Sequence, residues 1–116
     1  MVSAAGAPLG ALSLVLVNTP TADAERIAKA LVEARLAACV NVVPAVKSFY
    51  HWEGKLEEAT ESTLLVKTQT ALLPELTQAV KAIHPYSVPE VIAIDVMANA
   101  GNLEYLAWVL AETQRG

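Results

Sequence analysis

The sequence predicts an α+β fold: a four-stranded antiparallel sheet with two helices on one face and a third helix at the C-terminus. Predicted strands and helices alternate in the order β-α-β-β-α-β-α. The first half of this order reappears, with similar residues, in the second half. Apolar residues make up 54% of the 116-residue chain. That share provides a core for one domain and leaves apolar surface to bury against another subunit.

The first strand and helix are predicted from an apolar run and the turn after it. Residues 12–17 are apolar and rich in branched side chains, as in a buried strand, and Asn18-Thr19-Pro20 predicts the turn. Thr21 or Asp23 is expected to cap the following helix by accepting hydrogen bonds from free backbone N–H groups. Three- and four-residue spacing predicts that the inward face of this helix contains Ile27, Leu31 and Ala34.

A long β-hairpin is predicted in the middle of the chain. Residues 38–46, continued by the aromatic-rich run 48–52, predict one strand. Residues 53–55 predict a turn, and residues 62–70 predict the returning strand.

The remaining residues predict a helix, a strand and a closing helix. Pro74 suits the first turn of the second helix. This helix is expected to end at His84-Pro85, because the residue before a proline avoids helical geometry. Residues 91–96 predict the fourth strand, and the apolar spacing over 103–110 predicts the closing helix.

An internal repeat fixes how these elements are arranged. Residues 17–22 (Val-Asn-Thr-Pro-Thr-Ala) match residues 66–71 (Val-Lys-Thr-Gln-Thr-Ala) at an offset of 49 residues. Two similar βαβ halves with right-handed crossovers indicate the ferredoxin-like plan, with both crossover helices on one face of the sheet. The other face is covered at most by the closing helix, so it is expected to find a partner. Residues 1–11 are expected to form a flexible tail, and residues 12–116 the single domain.

Five short motifs resemble the successive motifs of the CutA family of divalent-cation tolerance proteins, and the resemblance covers about residues 12–112. They read LAACVN (36–41), SFYHWEGK (48–55), KT (67–68), HPYSVPE (84–90) and YLAW (105–108). The resemblance implies a ferredoxin-like homotrimer linked to tolerance of copper and other divalent cations. It also implies a structural relation to the P-II signalling proteins, whose trimers bind small effectors between subunits.

The chain departs from the family pattern where copper would bind. Copper-binding members carry a cysteine near the end of the first strand and paired histidines before Pro-Tyr; here only His84 is present. Ser87 and Asp95 also stand where the family commonly has Glu and Pro. We therefore expect no required cofactor, and weak binding of copper or another divalent cation with His84 as the metal ligand. The alternative is that His84 caps the end of the second helix through the last carbonyls.

The candidate ligand-binding residues are Tyr50, Trp52, Lys67, Tyr86 and Glu90. Tyr50 and Trp52 fall on one face of the hairpin, where they form either a ligand-stacking wall or an interface contact. Lys67, Tyr86 and Glu90 would orient a small anion or a metal-bound ligand in a cleft between subunits; taken singly, each also fits a solvated surface position or an ion pair.

Several classes of function are disfavoured. The net charge is −4 and no basic stripe is present, so no nucleic-acid partner is expected. No apolar run is long enough to span a membrane, and the N-terminus lacks the positive region of a signal peptide. The one cysteine, Cys39, suits a reducing cytoplasm; its thiol is either a copper ligand or a small buried apolar group.

No catalytic residues are predicted. The sequence lacks a nucleophile paired with a nearby base and lacks a glycine-rich phosphate loop. Two other classes share this topology. An acylphosphatase-like hydrolase would need an anion-binding loop after the first strand, and an RNA-recognition module would need basic and aromatic residues on its central strands. The sequence has neither feature. We therefore expect a cytoplasmic, non-enzymatic homotrimer of the metal-tolerance class. The alternative is a P-II-like regulatory module that binds a small ligand and has no metal role.

Overall fold

Four strands form one antiparallel sheet, in a computed structural model that describes residues 11–98 and 100–114. The strands are β1 (Leu12–Thr19), β2 (Cys39–Trp52), β3 (Lys55–Gln69) and β4 (Ile92–Asp95). The helices are α1 (Thr21–Glu33), α2 (Leu73–Ile83) and α3 (Leu103–Glu112). The strand order is β2-β3-β1-β4, and each neighbouring pair is antiparallel. The predicted ferredoxin-like fold with a C-terminal helix is confirmed; the predicted tail lies outside the described residues, except Ala11.

The main core lies between the sheet and the two crossover helices. Val15 and Val17 of β1 and Leu64 and Val66 of β3 are fully buried on this face of the sheet. The helices cover them with side chains at three- and four-residue spacing, namely Ala24, Ile27, Ala28 and Leu31 of α1 and Leu76 and Val80 of α2. Each fully buried Val, Leu or Ile contributes about 1.5–3 kcal/mol, so this layer holds the sheet and helices together.

The opposite face, here called the open face, is covered only at one end. There α3 packs Val109 against Leu12 and Ala38 in a second, smaller apolar cluster. Gln69 anchors the end of α3 by donating from Nε2 to the Thr113 carbonyl at 2.8 Å. Other apolar side chains of this face remain exposed, among them Val43 (40%), Ile92 (51%) and Ile94 (46%).

The β2–β3 hairpin extends far beyond the rest of the sheet. The pairing of β1 with β3 ends at Thr19↔Ser62, whereas β3 continues to Lys55 with β2 as its one strand partner among the described residues. This projecting arm, residues 46–61, gives the chain dimensions of 54 × 26 × 22 Å. The predicted start of the returning strand at residue 62 is therefore wrong. Residues 55–61 are mostly polar because both faces of the arm are largely exposed in the single chain.

Two local predictions for α1 are also wrong. The N-cap residue is Pro20, and no side chain accepts a hydrogen bond there. Asp23 instead pairs with Arg26, whose Nη2 lies 2.7 Å from its carboxylate. Ala34 is exposed because α1 ends at Glu33, and Arg35 at φ 60° turns the chain away from the helix.

None of the helices within residues 11–98 and 100–114 is long and apolar enough to cross a membrane.

A β-bulge lies where β2 enters the arm. The pairing shifts between Val43 and Val46, so β2 has one residue more than β3 across this step. Ala45, inside the bulge, has φ 61°, in the left-handed region where a Cβ atom is unfavourable. The bulge increases local twist and redirects the arm relative to the sheet.

Replacing Ala45 by glycine should stabilise the protein, because glycine adopts a positive φ without the steric penalty of a Cβ. We expect Ala45→Gly to raise the free energy of unfolding by about 1 kcal/mol. Ala59→Gly is the matched control, since Ala59 lies in the same arm without a positive φ. It should lower the free energy of unfolding by about 0.5–1 kcal/mol. Urea denaturation at one protein concentration measures both changes, and equal signs would contradict the interpretation.

Candidate functional site

A cleft of about 810 Å³ lies where the arm meets the loop that connects α2 to β4. Its aromatic lining consists of Phe49, Tyr50, Trp52 and Tyr86. Its acidic lining consists of Glu57, Glu61 and Glu90. The remaining lining residues are Asn18, Val46, Lys47, Ser48, Ser87 and Val88. Clefts of this size that combine apolar walls with a few polar groups are the usual form of a small-ligand site.

The loop side of the cleft is fixed by the imidazole of His84. Its Nδ1 accepts a hydrogen bond from the Tyr86 backbone N–H at 3.0 Å, so Nε2 carries the proton and donates to the Asn18 carbonyl at 2.8 Å. The side chain is buried, with 8% exposed, and its ring centroid lies 4.8 Å from that of Tyr86. His84 thereby fastens the loop to the end of β1 and orients Tyr86.

Both predicted roles of His84 can be compared with this geometry. His84 is the C-cap residue of α2, and its backbone N–H donates to the Val80 carbonyl at 2.9 Å. Its ring bonds to Asn18, whereas Arg26 Nη1 donates to the Ile83 carbonyl at 3.0 Å. The helix-cap alternative is therefore right for the backbone of His84 and wrong for its side chain. A metal ion would have to displace either the Asn18 carbonyl or the Tyr86 amide from the ring. The role of His84 as a metal ligand therefore stays a prediction. Metal binding there would require one of these two hydrogen bonds to break.

Tyr86 lies over a buried carboxylate. Its hydroxyl donates to Glu61 Oε2 at 2.8 Å, and only 5% of Glu61 is exposed. Burial raises the pKa of Tyr86 to about 12, and the hydrogen bond to Glu61 and the charge of Glu61 add to the shift. The neutral phenol is therefore the form that the site stabilises.

The other carboxylates increase the negative charge of the cleft. Burial raises the pKa of Glu90 above its ordinary value, and repulsion from the Glu61 carboxylate raises it further. Glu57 lies opposite Tyr50 in the β2–β3 ladder and is exposed. Among the described residues no ion pair reaches Glu57, Glu61 or Glu90. The one lining cation, Lys47, is bound to Glu58 at 3.2 Å.

Four of the five predicted ligand-binding residues lie together, and one does not. Tyr50, Trp52, Tyr86 and Glu90 line the cleft. Lys67 does not, because it lies six residues beyond Glu61 along β3, a separation of about 20 Å. No single chain therefore brings Lys67, Tyr86 and Glu90 into one site.

Lys67 belongs to a second polar cluster on the open face. Its Nζ donates to Asn41 Oδ1 and lies 3.5 Å from Cys39 Sγ. Cys39 is half-buried. Burial raises the pKa of Tyr105 above its ordinary value, and the neighbouring Cys39 raises it further. The cysteine is therefore half-buried beside a lysine, and the alternative that it is a small buried apolar group is wrong.

Asn18, Glu57 and Glu61 are site residues that the sequence did not single out. Glu61 becomes buried only because the loop folds across the end of β1, a contact between residues far apart in sequence. The one local signal is the spacing of Glu57 and Glu61, which places both carboxylates on the same face of a strand.

Comparisons with known proteins give a consistent result. The family model described as "CutA1 divalent ion tolerance protein" matches residues 13–112. The divalent-cation tolerance protein CutA of Thermus thermophilus is 50% identical over 101 residues, which covers 86% of this chain and 96% of that protein. The human protein CutA is 46% identical over 97% of this chain, and this chain spans 62% of the human protein's length.

Solved structures agree with the sequence comparisons. A divalent cation tolerance protein from Thermus thermophilus has a TM-score of 0.84 at 49% identity, over 89% of this chain and 99% of that chain. CutA1 from Oryza sativa has a TM-score of 0.88 at 41% identity, over 93% and 98%. A protein described as "PII-like protein CutA" from Nostoc has a TM-score of 0.83 at 40% identity, over 88% and 97%.

Removing the Tyr86 hydroxyl should destabilise the protein. Tyr86→Phe leaves the buried Glu61 carboxylate without its phenol donor, which costs about 1–3 kcal/mol in the free energy of unfolding. Tyr50→Phe is the matched control, because no described residue hydrogen-bonds to the Tyr50 hydroxyl; it should change the free energy by less than about 0.5 kcal/mol. Equal losses in the two variants, measured by urea denaturation, would exclude a structural role for this bond.

The same contact predicts a pH dependence. Because the pKa of folded Tyr86 is raised from 10.0 to about 12, its contribution to stability is fully present below pH 10 and is lost as the pH rises through about 12. Tyr86→Phe should therefore show a shallower loss of stability across this interval than the Tyr50→Phe control. Identical slopes would contradict the assignment.

Proposed function

Since the chain belongs to the family of CutA1 divalent ion tolerance proteins, we propose that it acts in the response to divalent metal ions as a non-enzymatic homotrimer that binds a small ligand. The observation that carries this proposal is the cleft, where aromatic side chains and unpaired carboxylates surround a space large enough for a metabolite. His84 lies beside the cleft with both ring nitrogens in hydrogen bonds, so it offers no free base for proton transfer.

Assembly as a homo-oligomer is supported by the apolar surface of the single chain. The open face carries exposed Val43, Ile92 and Ile94, and the arm exposes Phe49 (63%) and Trp52 (53%). Monomeric proteins rarely leave so many large apolar groups exposed. The number of subunits, three, rests on the resemblance to the CutA family and on its structural relation to the P-II proteins.

Direct metal binding is proposed to be weak. Among the described residues no three His, Cys, Asp or Glu side chains converge on one point, whereas tight sites need three or four ligands. The carboxylates of the cleft offer oxygen ligands to hard cations. Copper would instead favour an imidazole, either that of His84 or that of His51, which is exposed on the arm.

A second candidate function is small-ligand regulation without a metal role, as in P-II-like modules. The volume of the cleft favours it, because about 810 Å³ is far more than one metal ion occupies and lies within the range of metabolite sites.

We propose the cytoplasm as the compartment, which suits the free thiol of Cys39. Among the relatives, the Archaeoglobus fulgidus protein is described as periplasmic and that of Oryza sativa as chloroplastic.

Native mass spectrometry of freshly purified protein tests the proposed ligand-binding role, since it reports a retained metabolite or metal together with the number of subunits. A retained small molecule whose loss accompanies substitution of cleft residues would support it. An empty protein that also binds none of a set of cationic, neutral and anionic probes would contradict it.

Trimer formation should depend on the aromatic face of the arm. Sedimentation equilibrium at micromolar concentration is expected to give three times the 12.3 kDa chain mass. Trp52→Ala should weaken assembly by at least about 2 kcal/mol, since large aromatic anchors dominate interfaces. His51→Ala is the control, because His51 is the neighbouring residue on the opposite face of the same strand. A monomeric wild-type protein, or equal effects of the two substitutions, would refute this interface.

Copper(II) should bind with micromolar or weaker affinity, about −8 kcal/mol or less favourable. Because the His84 ring must break a hydrogen bond to bind a metal, His51→Ala should reduce the calorimetric signal more than His84→Ala. Loss of binding in His84→Ala alone would restore the ligand predicted from the sequence, and stoichiometric nanomolar binding would reveal a composite site between subunits.

A further inference from the structure

The charge balance of the cleft is strongly negative. Glu57, Glu61 and Glu90 line it, and none has an ion-pair partner among the described residues. The ammonium group of Lys47 is bound to Glu58, which does not line the cleft. Among the described residues that line the cleft, a negatively charged ligand would therefore meet three carboxylates and no lysine or arginine outside an ion pair; Lys55, which lies opposite Trp52 in the ladder, does not line it.

Glu61 lines this space and has one carboxylate oxygen without a hydrogen bond. Its Oε2 accepts from the Tyr86 hydroxyl, while Oε1 has no hydrogen-bond partner among the described residues. No described side-chain oxygen or nitrogen is both fully buried and unpartnered, so Oε1 keeps some exposed surface. A carboxylate that is 95% buried with one neutral donor is under-satisfied, and an approaching N–H group would complete it.

The aromatic walls suit the same kind of ligand. Tyr50 and Trp52 share one face of β2, and Tyr86 approaches from the loop. The faces of aromatic rings attract cations within about 6 Å, and indole attracts them most strongly. They offer no comparable attraction to an anion. Rings and carboxylates that line one cleft are the combination that recognises ammonium groups.

A bare metal ion does not fit this arrangement. Among the described residues no three ligating side chains lie close enough to share one ion, so the carboxylates surround a wide space instead of meeting at a point. The cleft, about 810 Å³, is also far larger than an ion with its coordinating oxygens. A larger organic cation is weakly hydrated, and it is wide enough to contact carboxylates that lie far apart.

From these observations we propose that the cleft selects a small organic cation, an ammonium or guanidinium group, with Glu61 Oε1 as the buried acceptor and Tyr50 and Trp52 as the ring walls. This inference rests on the proposed ligand-binding function and adds the chemical class of the ligand. Burial raises the pKa of Glu90 and repulsion from the Glu61 carboxylate raises it further; a cation bound between the two would relieve that repulsion.

tert-Butylammonium chloride is the probe, because its ammonium group carries N–H donors, and tert-butanol is its neutral counterpart of similar shape. Both are titrated at constant ionic strength into the intact oligomer, with the indole N–H resonance of Trp52 as the readout. We expect saturable shifts with tert-butylammonium, at least about tenfold weaker binding in Glu61→Gln, and weaker binding as the pH is lowered and the carboxylates gain protons. Glu25→Gln is the matched control, because it removes one negative charge from the exposed surface of α1; it should change the affinity less than twofold.

The outcomes separate this inference from the proposed function. Equal binding of tert-butanol, or binding of acetate in place of tert-butylammonium, would overturn cation selection while the cleft remained a ligand site. Failure of all three probes to bind would also overturn cation selection. A basic side chain from a second copy that fills the cleft would give this result. If the purified oligomer also retained no ligand, the proposed function would be refuted as well. If Glu61→Gln does not fold, Glu90→Gln tests the same charge dependence, and unchanged affinity there would refute it.

Discussion

The arrangement of the site depends on one buried imidazole. His84 ends α2 and bridges the end of β1 to the following loop, since its two ring nitrogens hold the Asn18 carbonyl and the Tyr86 amide. This bridge decides where the loop crosses the end of β1, and therefore where the Tyr86 hydroxyl meets Glu61. Because the bridge needs one protonated and one unprotonated nitrogen, a neutral imidazole is part of the fold at this point. The residue that looks most like a metal ligand is thus used as a structural connector.

The burial of Glu61 then determines the charge and the pKa values of the cleft. The sheet and the loop bury a carboxylate that has one neutral hydrogen bond and no ion-pair partner among the described residues. Burial raises the pKa of both Tyr86 and Glu90, and the charge of Glu61 raises both further. The folded chain contains an unfavourable concentration of negative charge, which the surrounding core interactions must offset. Unfavourable arrangements of this kind are common where a protein binds a ligand, because the ligand supplies the missing interaction.

Local sequence patterns predicted most of the fold and part of the site. Apolar periodicity identified all seven elements, and the internal repeat identified the topology, because both reflect burial on one face of each element. Strand alternation placed Tyr50 and Trp52 correctly on one side of the arm. Polar residues 55–61 carried no strand signal, since that part of β3 is stabilised by pairing with β2 instead of by burial. Glu61 and the separation of Lys67 from Glu90 depend on how distant segments fold over one another, which single-sequence spacing does not encode.

The internal repeat also places unlike polar groups at the two ends of the sheet. Asn18 and Lys67 are equivalent positions in the two halves, but β1 and β3 run antiparallel, so the equivalent positions lie towards opposite ends of the ladder. The end near Asn18 carries Glu61, which has no ion pair among the described residues, and the other carries the Lys67 ammonium, which contacts Asn41 Oδ1 and Cys39 Sγ and no described carboxylate. Each copy thus presents a carboxylate without a cation at one end of the ladder and an ammonium group without a carboxylate at the other. Complementary ends are what head-to-tail contacts require, and such contacts close into a ring when successive copies are rotated about a common axis.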